Sequence, residues 1–183
     1  MTIFRGAQFM RLSILAVVAI VGLGQFCGGA QAGRMWLPKA ENPYCDVTTY
    51  RARELPEQAM SMLDSNGKPV IVVSGIALVE KPSYGQFLMA HECCHHSLGH
   101  VRRYQEGLGH VGPQPFFFIA PALKQMELDA DCCAVKMLRR DRRPDSIVSA
   151  RDAMVKFGAA PTGAHYPTGI ERVDNIEKCA AEE

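Results

Sequence analysis

Very little in this sequence is in excess. Net charge is almost absent: 20 Lys+Arg stand against 19 Asp+Glu, a formal +1 over 183 residues. A chain so balanced is neither a strongly basic nucleic-acid binder nor an acidic disordered tail. Repeats are missing, and Gly 16 and Pro 11 are ordinary counts, which excludes collagen-like and low-complexity classes. Tryptophan occurs once and aromatics are 8% of the chain, but apolar residues reach 48%, enough for a core. Acidic residues are missing altogether before Glu41. Apolar runs long enough to cross a bilayer are missing too. Leu12 to Leu23 is well short of the ~20 residues that a span requires.

The last two absences fit one feature. Arg5 and Arg11 make a positive start, Leu12–Leu23 an apolar middle, and Ala30-Gln31-Ala32 a small-x-small end. These are the three parts of a secretory signal peptide. Residues 1–32 are therefore expected to be cleaved after Ala32, the alternative being a retained N-terminal anchor. The bulky Phe26 before Cys27 argues against a lipoprotein site. Residues 33–183 are expected to form a single exported domain, periplasmic or secreted. After signal removal no membrane span remains, and nothing in the charge points to nucleic acid. Of the seven cysteines, Cys27 leaves with the signal; Cys45, Cys93, Cys94, Cys132, Cys133 and Cys179 remain. An even count in an oxidising compartment predicts disulfides, with a connectivity that spacing does not choose.

Periodicity predicts a mainly helical α+β domain. A short strand is expected in Val47–Tyr50 and a helix over Glu54–Leu63, with a turn at Asn66-Gly67. The β-branched run Pro69–Val73 (PVIVV) reads as a buried strand, continued by Gly75–Val79. One helix is expected from Gln86 to Arg103. A linker with an apolar run, Phe116–Ile119, follows, and Pro121 opens a helix over Ala122–Arg140. Pro144 opens another, Asp145–Phe157, and Thr168–Ala181 closes the chain.

The chemistry sits in two of these helices. His91-Glu92-Cys93-Cys94-His95 is HExxH. Four residues at 3.6 per turn put the two histidines on one face, where two imidazoles can hold one Zn²⁺. Zinc lowers the pKa of a water it holds toward ~7, and Glu92 is placed to take that proton. A third protein ligand is needed. The metzincin pattern fails, because Leu98 and Val101 stand where it requires Gly and His. On a continuous helix His96 and His100 point off the metal face, toward surface or supporting roles. The next helix carries Glu127-Leu128-Asp129-Ala130-Asp131, an ExxxD pattern with both ends on one face. Glu127 can complete His/His/Glu coordination. Asp131 can bond the other nitrogen of a ligating histidine and set its tautomer.

With those motifs in place, AHECCHHSLGH, MELDADCCA and HYPTGIERVDNI resemble the gluzincin zinc metallopeptidases. Among them the chain is most similar to the HtpX and CAAX-prenyl-endopeptidase family, especially its soluble periplasmic members, over about Pro69 to Cys179. The resemblance implies a zincin-like metallopeptidase domain with a small sheet beside the HExxH helix. It implies one zinc on His91, His95 and Glu127, Glu92 as base, and Asp131 behind a ligand. It also makes His165 the favoured oxyanion donor, with Tyr166, Arg172, Tyr84 and Tyr104 as other candidates. The chain departs from the multi-span members in having no later transmembrane helix. The doubled cysteines are no part of that family's zinc chemistry, so they read as structural. One of Cys93/Cys94 is expected to bridge one of Cys132/Cys133, and Cys45 to join Cys179.

The expected activity is hydrolysis of peptide bonds in exported polypeptides. A sheet edge beside the cleft would let an extended peptide add as a strand, and the linker from Gln105 to Pro121 is a candidate lid. The alternatives are a non-catalytic, chaperone-like zinc module for unfolded chains, and a disulfide-rich domain with an accidental HExxH. Substrate identity, endo- versus exo-cleavage and oligomeric state are not legible.

Overall fold

The computed structural model describes residues 37–53, 55, 57–108, 116–163 and 165–182. The chain divides into Met1–Met35 and Trp36–Glu183, and only the second unit contains described residues. The expected signal peptide lies outside them. Among the described residues no helix is long and apolar enough to cross a membrane.

The first half builds a four-stranded sheet from β1 (Lys39–Ala40), β2 (Thr48–Ala52), β3 (Ala59–Leu63) and β4 (Pro69–Ser74), in the order β1-β2-β4-β3. β4 is parallel to β2 and antiparallel to β3. It is the PVIVV run, and Ile71 and Val73 are fully buried. The helix expected over Glu54–Leu63 is not what forms: residues 59–63 are a strand. Ala, Met and Leu favour helix locally, but the following turn overrides them. Asp64 Oδ1 accepts from the backbone N–H groups of Asn66 and Lys68, and Gly67 takes a left-handed φ of 73°. That turn folds Leu63 back against Pro69 and Ala59 against Val73.

The expected continuation of β4 through Gly75–Val79 is also replaced. Ser74 Oγ accepts from Ala77 N–H at 3.4 Å and caps a helix, α1 (Gly75–Glu80). Next comes α2 (Pro82–Ser97), with Pro82 in its first turn, where a missing N–H costs nothing. Ten of the eleven positions Tyr84–Cys94, all but Gln86, are buried. α2 is thus the central helix, enclosed by the sheet, α4 (Phe116–Arg140) and α5 (Pro144–Val155). It does not run to Arg103. Gly99 adopts φ 72° and ends it, and a short α3 (His100–Arg103) restarts the chain in a new direction. A single π-helical turn, Tyr104–Leu108, follows.

α4 begins before the expected opening at Pro121, which sits inside the helix. The side chains of Phe116–Phe118 lie outside the described residues. α6 (Gly169–Ala181) starts at a capping box in which Thr168 and Glu171 satisfy each other's backbone N–H groups.

Three disulfides join these elements: Cys45–Cys93, Cys94–Cys133 and Cys132–Cys179. The bridge between the two motif-bearing helices forms as expected. Cys45 and Cys179, however, do not pair with each other. Adjacent residues on a helix point about 100° apart, so each doubled cysteine serves two neighbours. α2 is tied to the β1–β2 loop and to α4; α4 is tied to α2 and to α6.

Candidate metal centre

α2 and α4 cross where their motifs lie. His91 is 4% exposed, Glu92 7%, Glu127 7% and Asp131 0%. His91 Nε2 lies 3.0 Å from His95 Nε2. Glu127 closes the triangle, with Oε2 3.3 Å from His91 Nε2 and Oε1 3.3 Å from His95 Nε2. Zinc holds such donors at ~2.0–2.1 Å, and two tetrahedral donors at that range lie about 3.3–3.4 Å apart. The three side chains therefore converge closely enough to share one ion, each histidine facing a different oxygen of Glu127. His91, His95 and Glu127 are the residues that could hold a metal ion. Cys132, Cys179 and Glu182 also cluster, but those two sulfurs are consumed in a disulfide.

Charge supports the same fit. Glu92, Glu127 and Asp131 are buried carboxylates, and Arg172 is the buried cation opposite them. Counted with both histidines neutral, as metal ligands must be, the formal imbalance is two negative charges, which one divalent cation would cancel. Arg172, on α6, grips Asp131 with two bonds, Nε to Oδ2 at 2.8 Å and Nη2 to Oδ1 at 2.6 Å. It also donates to Thr162 Oγ1 and approaches Glu127 Oε2 at 3.9 Å. Asp131 Oδ1 in turn stands 2.9 Å from His91 Nδ1. The ring N–H meets that oxygen obliquely and falls short of a well-formed hydrogen bond.

These contacts decide the protonation balance. Burial disfavours imidazolium at His91, but Asp131 and then Glu127 outweigh it and push its pKa up to about 10. Burial disfavours ionised Glu127, yet His91 and His95 hold its carboxyl well below the usual range. Asp131 is likewise depressed, Arg172 overcoming burial.

The other candidates divide. His96 bonds the Val70 carbonyl through Nε2 at 3.1 Å, on the sheet side of α2. His165 is exposed, with φ 67°, at the cavity before α6. Its neighbour Tyr166 lines the same cavity and is half-buried. Burial, then the charges of Glu127 and Glu92, raise the Tyr166 phenol above its ordinary pKa. Continuous-helix geometry puts His100 off the metal face, in a surface or supporting role. The break at Gly99 instead buries it to 4% exposure beside His95. A glycine inside an otherwise helical run was the signal for that break.

The cluster opens into a cavity of about 590 Å³. One wall is β3, an edge strand of the sheet, whose consecutive residues Ala59–Met62 line it. Met126 and Leu123 of α4, Leu88 of α2 and Met154 of α5 make much of the rest apolar. The expected sheet edge beside the cleft is thus β3, the segment expected to be helical. In comparisons with known proteins, no family model matches this chain, and no curated protein or solved structure matches it.

Proposed function

We propose that the protein is an exported zinc metallopeptidase of gluzincin type that hydrolyses peptide bonds in polypeptides. One observation carries this reading: His91, His95 and Glu127 converge within 3.0–3.3 Å of one another at the floor of a cavity that Glu92 also lines. Zinc held there would supply Lewis acidity and lower the pKa of a water at its open side. Glu92 is not needed as a ligand, which leaves its carboxylate to accept the proton of the attacking water and return it to the leaving amine. Asp131, fixed by Arg172, stands 2.9 Å behind His91 Nδ1, where a small turn of the ring would let it accept the Nδ1 proton. Among the described residues β3 pairs with β4 on one side alone, so an extended peptide would add antiparallel or parallel to its free edge and lay its carbonyl over the cluster.

A donor is needed where negative charge develops on the scissile carbonyl. His165 and Tyr166 both border the cavity. Tyr166 is the better candidate, being the more buried of the two and kept protonated by that burial and then by the charges of Glu127 and Glu92. The methionine-rich lining also suits a non-catalytic module that grips unfolded chains, since Met side chains adapt to varied apolar partners.

The deciding experiment measures zinc content and casein hydrolysis for the mature protein and for Glu92→Gln. About one zinc per chain in both, with turnover only in the wild type, supports the peptidase. Zinc in both with turnover in neither favours the binding module. No zinc in either overturns the metal site.

A further inference from the structure

His100 takes no part in the chemistry above, yet it is as buried as His91. Its ring meets that of His95 edge-on, with centroids 5.2 Å apart and planes at 70°. Nδ1 of one ring lies 3.2 Å from Nδ1 of the other. The far nitrogen of His95, Nε2, is the one that faces His91 and Glu127. Two ring nitrogens at this distance share a single proton, so one donates and the other accepts. A histidine that offers Nε2 to a metal carries its proton on Nδ1. His95 is then the donor, and His100 Nδ1 the acceptor, with the proton of His100 on its own Nε2.

We infer that His100 is a positioning residue, which accepts from His95 Nδ1–H and holds that ring in the tautomer and orientation that present Nε2 to the metal. The inference rests on the metal-site reading. It completes a pattern in which each ligating imidazole is backed by a different group. His91 has a carboxylate, Asp131, itself neutralised by Arg172. His95 has an uncharged ring. The difference has an electrostatic reason. A carboxylate in place of His100 would raise the buried imbalance from two negative charges to three, more than one divalent cation cancels. The position depends on Gly99. Nothing lies within 4 Å of where its Cβ would be, so glycine is required there by its left-handed backbone rather than by space.

The test compares the mature, disulfide-bonded wild type with His100→Asn and His100→Phe. Asparagine restores an acceptor near the Nδ1 position; phenylalanine fills the space without one. Zinc affinity is read by competition with a chromogenic chelator, and ligand geometry by the visible spectrum of the Co²⁺-substituted proteins. The expected result is a loss of about 10- to 100-fold in affinity for His100→Phe, with an altered Co²⁺ spectrum and substantial rescue in His100→Asn. Long-range ¹H–¹⁵N spectra of the zinc-loaded wild type give a readout independent of any variant's folding. His95 should be protonated on Nδ1 and His100 on Nε2. Equal losses in both variants, or a zinc-loaded wild type with His100 protonated on Nδ1, overturn the inference alone. A wild type that binds neither zinc nor cobalt overturns it together with the metal site.

Discussion

Replacing Arg172 with Met should unfold this protein more readily than any loss of packing volume explains. Asp131 has no exposed surface, and both its oxygens are taken by the guanidinium at 2.8 and 2.6 Å. The other polar neighbour, His91 Nδ1, meets it obliquely. Arg172→Met therefore leaves the buried carboxylate without either of its well-formed hydrogen bonds and with His91 as its one close charged neighbour, and removing one partner of a buried pair costs about 3–5 kcal/mol. For a chain of this size each kcal/mol moves Tm by about 2–4 °C, so a drop of roughly 6–20 °C is expected. Arg172→Lys keeps the charge but not the fork, and should lose about 1.5–3 kcal/mol. The double variant Arg172→Met/Asp131→Asn buries no charge at this point and should recover part of the loss. The assay is urea and thermal unfolding of the oxidised protein in chelator, followed by circular dichroism. A loss below about 1 kcal/mol for Arg172→Met, as an exposed ion pair would give, refutes the reasoning. So does a double variant no more stable than the single one.

Three further outcomes are expected. Tyr166→Phe should lower kcat by about 10²–10³-fold with little change in zinc content, whereas His165→Ala should cost much less; steady-state peptide hydrolysis separates the two. Cys94→Ser/Cys133→Ser opens a crosslink spanning 39 residues between α2 and α4, and should cost about 2–4 kcal/mol by urea titration and weaken zinc binding as the two ligand-bearing helices loosen. Glu171 is held below its ordinary pKa by the backbone N–H and hydroxyl of Thr168. Its contribution is therefore present above the unfolded carboxyl pKa and lost as pH falls through the lower folded value, so wild type and Glu171→Gln should differ in Tm near neutrality and converge toward pH 2.

Much of this was legible in the residues, because helical periodicity is local. HExxH on one helix and ExxxD on the next place His91, His95, Glu127 and Asp131 by 3.6-residue geometry alone, and the structure brings these four together. PVIVV reads as a buried strand for the same reason. The segment 59–63 misleads because Ala, Met and Leu prefer helix in isolation, while its strand state comes from pairing with β4 across the Asp64–Gly67 turn. For His100 the residues leave a surface and a supporting role open, and its burial beside His95 depends on the helix break at Gly99. Arg172 was open between an oxyanion role and pairing with an acid. Its bonds to Asp131 answer that, since they depend on α6 packing against α4.

The sequence by itself determined the types of the candidate ligands, their spacing along each helix, and the six cysteines beyond Cys27. These are properties of neighbours along the chain. Only the tertiary structure decided which cysteine meets which, that β3 rather than a helix walls the cavity, and that Arg172 and His100 stand behind the site. Each of these depends on which face of one element meets another. Such contacts join residues far apart in sequence or turn on a single left-handed glycine, and no local periodicity records them.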